Sequence, residues 1–226
     1  MWAVIFGVVL VGGSVTAFVT MGKNNTPKNQ ENHEQLIRTL LQPIVQNASA
    51  LGTTKAKVTL IEFGDYQCQF CARFDRETKD QIVNNFVKTG MINFLFKDFV
   101  INDRPSDKLS TLAAIGSYCA AEQGKYWPYH DEVYRNSKGE NTDWVSKNSL
   151  TQFAVYAGIY DVKKFSTCLD SNKYENLVVT NDNLARSIGL TSTPTFIIIA
   201  DGKPPLKIEG AQPYSVFEGA IKQALM

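Results

Sequence analysis

Apolar and polar positions divide the chain into four unlike stretches. Residues 1–22, MWAVIFGVVLVGGSVTAFVTMG, contain no charged side chain. At about 1.5 Å per residue, a helix of that length spans roughly the 30 Å of a bilayer's hydrocarbon. The pattern predicts a transmembrane helix, and the small residues of VTA leave a cleaved signal peptide as the alternative. Residues 23–33, KNNTPKNQENH, are polar and read as a solvated linker. Within 34–46, Leu36, Ile37, Leu40, Leu41 and Ile44 recur at helical spacing, and Pro43 kinks or ends the run.

From residue 57 the period changes. KVTLIEF (57–63) reads as a strand, CARFDRETKDQIVNNFVK as a helix, and MINFLFKDFV (91–100) as a second strand. That is a β-α-β unit. Five helical patterns follow between about 106 and 190, with short polar breaks. Strand character returns at PTFIIIA (194–200) and LKIEGA (206–211), joined by DGKPP, and YSVFEGAIKQALM predicts a closing helix.

Composition removes some function classes. Lys and Arg number 23 against 22 Asp and Glu, for a net charge of +1. No basic run is present to follow a phosphate backbone, so nucleic acid is not an expected partner. Lys23 and Lys28 follow the apolar segment and no basic residue precedes it, which by itself favours a cytoplasmic C-terminal domain.

Chemistry is concentrated in four cysteines, Cys68, Cys71, Cys119 and Cys168. Cys68 stands where a strand feeds directly into a helix, so its sulfur lies beside unpaired backbone N–H groups and the positive end of the helix dipole. That placement depresses a thiol's pKa, and Cys71, one turn later on the same face, is near enough to close a disulfide. A redox pair is therefore the first reading. A zinc or copper site needs further ligands, and the two histidines, His33 and His130, are not at ligand spacing. The aromatic run Tyr126, Trp127, Tyr129 and Tyr134 reads as core rather than a ligand cage. Asn24-Asn25-Thr26 and Asn47-Ala48-Ser49 fit glycosylation acceptors, a pattern common by chance.

The stretches KVTLIEFGDYQCQFCARF, AAEQGKYWPYHDEVYRN and LARSIGLTSTPTFII, the last followed by IEGAQPYSVF, resemble the DsbA family of thiol-disulfide oxidoreductases. The resemblance is strongest to its membrane-anchored, extracytoplasmic members and runs over residues 51–226. It implies an α/β thioredoxin fold interrupted by a helical insertion at about 103–190, preceded by a linker and N-terminal helix (23–50) and the anchor or signal segment (1–22). It implies that Cys68 is the exposed sulfur attacked by substrate and Cys71 the buried resolving one. Thr193 and Pro194 would form a cis peptide facing the pair, with the Thr193 backbone turned outward for a bound peptide. An ordinary trans proline opening an edge strand is the alternative.

Glu62 occupies the position where thioredoxin-fold proteins commonly keep a buried acid that exchanges a proton with the buried cysteine. Val58, Leu60 and Glu62 share one strand face, which supports an inward carboxylate; a carboxylate at the strand margin facing water remains the alternative. Lys97 matches a basic residue often found near that acid, although a lone lysine on a strand more often faces solvent. Some relatives bridge the helices that carry Cys119 and Cys168, implying a structural disulfide, against two free buried thiols. Such a bridge argues for an oxidising compartment, against the Lys23 and Lys28 bias.

The activity implied is the introduction of disulfides into reduced extracytoplasmic proteins, without a cofactor, with reoxidation by a quinone-linked thiol oxidase in the membrane. A reductase or isomerase of the same fold and a non-catalytic peptide- or copper-binding module are the alternatives. The dipeptide Gln69-Phe70 between the cysteines departs from the Pro or His of many relatives, so redox poise does not transfer.

Overall fold

In this computed structural model, residues 15–17, 27–42, 49–53 and 55–226 are described. The elements in chain order are β1 (Val15–Ala17), α1 (Pro27–Leu41), β2 (Ala50–Leu51), β3 (Val58–Gly64), α2 (residues 69–87, a continuous helix that widens to π-helical turns at Asp75–Lys79 and Val83–Val87), β4 (Ile92–Asp98), α3 (Leu109–Ala121), α4 (Tyr126–Arg135), α5 (Lys147–Tyr156), α6 (Val162–Asp170), α7 (Glu175–Ser187), β5 (Thr195–Ala200), β6 (Leu206–Glu209) and α8 (Tyr214–Leu225). The six strands form one sheet in the order β1-β6-β5-β3-β4-β2. Among the described residues only β3 and β4 pair in parallel, as the crossover through α2 requires. Five helices, α3 to α7, stand between β4 and β5, which is the expected α/β fold with a helical insertion.

Alternation sorts the central strands onto two cores. Val58 and Leu60 of β3 and Phe94 of β4 pack with Phe74, Phe196 and Phe217 under α2 and α8. Ile61, Phe63, Leu95, Phe99, Ile197 and Ile199 face the other way, against Leu40 of α1 and Ala185 of α7. A third cluster belongs to the insertion and also takes in Tyr66, Cys68, Cys71 and Phe96, so the cysteine pair sits where the insertion meets the sheet. Gly116 allows that packing: a Cβ there would collide with the Tyr129 hydroxyl. Tyr126, Tyr129 and Tyr134 are buried in this cluster, as core. Ser146 and Ser149 close a capping box at the start of α5, and the Asp161 carboxylate accepts from Lys164 N at 2.8 Å at the start of α6.

The N-terminal expectations need correction. Val15, Thr16 and Ala17 form an edge strand antiparallel to Leu206–Ile208, where the sequence predicts helix through 1–22. The β-branched pair Val15-Thr16 suits a pleated edge, and pairing it covers the open side of β6. The rest of 1–22 lies outside the described residues, and among the described residues no helix is long and apolar enough to cross a membrane. α1 begins at Pro27, inside the stretch read as linker, since proline at the first helical position loses no hydrogen bond. The acceptor triplet at Asn24, Asn47 of the second triplet, Pro43 and the His33 side chain lie outside the described residues.

Candidate active site

β3 runs into a tight loop, residues 65–67, before α2. The Asp65 carbonyl accepts from Cys68 N at 2.9 Å, and its side chain accepts from Gln67 N at 2.8 Å and Asn102 N at 2.8 Å. Gln67 in turn donates to the Ser110 hydroxyl at 2.9 Å. This buried clamp ties the loop to α3 and seats Cys68 as the residue immediately before α2. Burial pushes the Asp65 carboxyl up to about 7, although its hydrogen bonds act the other way. Sequence reasoning passed over Asp65, yet a signal exists: an acidic residue two positions before a backbone N–H at a turn is an Asx-turn pattern.

Cys68 and Cys71 are free thiols. The Cys68 sulfur lies 3.4 Å from the Thr193 carbonyl, and the Thr193-Pro194 peptide is cis. The Cys68 thiol is pulled down from 9.0 to about 6. A hydrogen bond from the Cys71 thiol contributes most; burial opposes it, and the Thr193 side chain with the N–H groups of Cys71 and Phe70 adds to it. Cys71 moves the opposite way. Burial raises it well above the ordinary thiol range, helped by the charge of Cys68 and of Glu62. One member of the pair is thus poised as thiolate and its neighbour holds its proton.

One expectation changes. Cys68 is 2% exposed, not an open sulfur, because Thr193 and the apolar cluster of the insertion close over it. Its thiol turns toward the Thr193 carbonyl. Phe70, 44% exposed with the Arg73 guanidinium 5.0 Å from its ring centroid, is the apolar group left at the surface beside the pair.

Glu62 is buried, with neither carboxylate oxygen hydrogen-bonded. Burial raises its pKa well above the usual carboxylate range, and the nearby Asp75 adds to this while Lys79 offsets part of it. Lys97 does not serve Glu62. It is buried on the other sheet face, between Leu95 and Phe99 in strand alternation, and its ammonium donates to the Gln42 carbonyl at 2.8 Å just past the end of α1. Burial lowers Lys97 to about 8. The cation near Glu62 is Lys79 of α2, which the sequence reading did not single out.

Cys119 of α3 and Cys168 of α6 are disulfide-bonded, with Cα atoms 5.8 Å apart. The bridge ties together two helices of the insertion.

Residues 45–223 match the thioredoxin family model. Disulfide bond formation protein D of Bacillus subtilis is 24% identical over 157 residues, covering 70% of each chain. The crystal structure of oxidised BdbD from Bacillus subtilis superposes with a TM-score of 0.70 at 23% identity, over 81% of this chain and 96% of that one. That of Wolbachia pipientis alpha-DsbA1 gives 0.68 at 24% identity, over 83% and 94%.

Proposed function

The chain belongs to the thioredoxin family, and from that premise we propose that it is a protein thiol-disulfide oxidoreductase working in the oxidising direction. In the oxidised enzyme a substrate thiolate attacks Cys68 of the Cys68–Cys71 bond. The substrate sulfur bonds to Cys68, and the electron pair of the broken bond leaves on Cys71, which takes a proton. A second substrate thiolate then attacks the mixed disulfide and releases Cys68 as thiolate. The low pKa of Cys68 makes it the better leaving group, and stabilising the reduced pair drives oxidation of the substrate. The observation that carries this reading is the Cys71 thiol held against a Cys68 sulfur at the start of α2, with the cis Thr193-Pro194 peptide beside it.

Replacing Cys71 by Ala removes the resolving thiol. With Cys68 first converted to its mixed disulfide by glutathione disulfide, the variant is expected to exchange the glutathione for a reduced protein's thiol and hold that protein as a covalent adduct, visible on non-reducing gels and lost on adding dithiothreitol, while Cys71→Ala combined with Cys68→Ser gives none. Absence of adducts with Cys71→Ala sinks the exchange reading and leaves the peptide-binding module.

We further propose that the domain works outside the cytoplasm, on reduced proteins, and is reoxidised by a membrane thiol oxidase that passes electrons to a quinone. The Cys119–Cys168 bridge supports an oxidising compartment. The name of the Bacillus subtilis relative, a disulfide bond formation protein, points the same way. The uncharged run 1–22 supports delivery to the membrane as an anchor, a use of residues 15–17 alternative to their pairing with β6. Expressed in its own envelope, the protein should stay in the pellet after alkaline carbonate extraction and be cleaved by protease added from outside. A fully soluble, protected protein overturns both statements.

A further inference from the structure

Cys71 and Glu62 are both buried and the Glu62 oxygens have no hydrogen-bond partner, so a proton passing between them has no direct way out. A cluster of buried polar side chains lies beside them. Cys71, Asp75 and Lys79 recur every fourth residue on α2, so they follow one another along one face. The Lys79 ammonium, its side chain 5% exposed, bonds Asp75 and reaches the Asp131 carboxylate of α4 at 2.5 Å. His130 Nδ1 lies 3.2 Å from the same Asp131 oxygen and 3.7 Å from Asp75. The His130 ring is fully buried with Nε2 unpartnered, and packs at 4.9 Å on Phe96, the residue in register with Glu62. Side-chain exposure is 10% at Asp75, 5% at Lys79, 0% at His130 and 39% at Asp131, so the cluster meets solvent at Asp131.

We propose that Asp75, Lys79, His130 and Asp131 form the proton passage that joins the buried Cys71–Glu62 pair to solvent. This rests on the exchange reading above. When substrate opens the Cys68–Cys71 bond, the departing Cys71 sulfur takes a proton from Glu62, and the passage returns one from water through Asp131. On reoxidation the Cys71 thiol loses its proton to Glu62, its sulfur bonds to Cys68, the partner's sulfur leaves as thiolate, and the proton departs by the same path. The groups that face Glu62 are Asp75 and Lys79 from α2, Cys68 and Cys71 at its start, and Tyr126 and Tyr134 from α4, with His130 of α4 packed on the neighbouring Phe96. Asp75, His130 and Asp131 are also close enough together to hold a metal ion, but the Lys79 ammonium already bridges the two carboxylates and supplies the cation. Burial lowers His130, keeping its ring neutral and able to pass a proton between its two nitrogens.

Asp131 is the residue to change, because its surface position lets the fold survive. In the full chain, Cys68 is loaded with glutathione and its release by Cys71 is followed at pH 7 in dilute buffer. Asp131→Asn and Asp131→Ala are expected to slow this release about tenfold or more, to leave the pH profile of Cys68 alkylation in place, and to recover with added imidazole, which carries protons from outside. Lys79→Arg, which keeps the bridging charge, should retain most of the rate. Release at the unaltered rate in both Asp131 variants, or a loss that imidazole does not restore, overturns the passage. Failure of the parent enzyme to release glutathione from Cys68 is a different result, and counts against the exchange reading itself.

Discussion

Cys68→Ser will abolish disulfide exchange, leaving the uncatalysed background, a loss on the order of a thousandfold or more of the kind seen when a covalent nucleophile is removed. The parent enzyme's pH dependence should report the same sulfur. With a pKa of about 6, roughly nine-tenths of Cys68 is thiolate at pH 7. Thiolate absorbance near 240 nm should therefore fall with a midpoint about pH 6, and the rate of alkylation should drop about tenfold per unit below it. The sign of the stability effect follows from the direction of the shift. A group whose folded pKa is depressed stabilises the folded state above its unfolded pKa, here near 9.0, and loses that contribution as pH falls through about 6. The full contribution is on the order of 4 kcal/mol, from three pKa units at about 1.4 kcal/mol each. Only the reduced protein has it. The reduced form should lose stability relative to the oxidised form between about pH 9 and 6, and the Ser variant should show no such trend. A midpoint near pH 8 or above in the parent means that the Cys71 hydrogen bond and the start of α2 do not stabilise the thiolate.

The part of this site that could be read from sequence is the part made by neighbours in sequence. The strand-to-helix junction, the spacing of Cys68 and Cys71 and the inward face of Val58, Leu60 and Glu62 are all set within about a dozen residues, where period and dipole suffice. The burial of Cys68 was not legible, because its cover comes from Thr193, 125 positions away. The cation beside Glu62 was misplaced for a different reason. In the parallel β3–β4 register Glu62 pairs with Phe96, so Lys97 must point to the opposite face, and alternation alone forbids the contact. Lys79 takes that role from the helix, and the acid it reaches, Asp131, lies 52 residues further along on α4. No local spacing joins those two elements.

The edge of the sheet shows the same limit in reverse. Val15-Thr16-Ala17 belongs to an uncharged run whose strongest local signal is helix, and only the open backbone of β6, nearly two hundred residues later, makes an extended conformation the better use of those groups.

The second large effect expected is on the insertion. The bridge between Cys119 and Cys168 closes a loop of 49 residues. Loop-closure entropy alone assigns such a cross-link about 4 kcal/mol. Replacing both cysteines by Ala should lower the unfolding free energy by about that amount, and the melting temperature by roughly 10 °C in a chain of this size. Exchange at 25 °C should persist in the folded fraction, because the hydrogen bonds that hold the Cys68 thiolate come from Cys71, Phe70 and Thr193, none of them in α3 or α6. The single variants Cys119→Ala and Cys168→Ala should behave worse than the double. Each leaves one unpaired thiol in a protein whose own Cys68–Cys71 pair oxidises thiols, and the survivor becomes a substrate for neighbouring molecules. Disulfide-linked dimers on non-reducing gels, present in both single variants and absent from the double, are the expected sign. A double variant as stable as the parent means that the apolar contacts of Tyr118, Phe165 and Leu169 hold α3 and α6 together without the bridge.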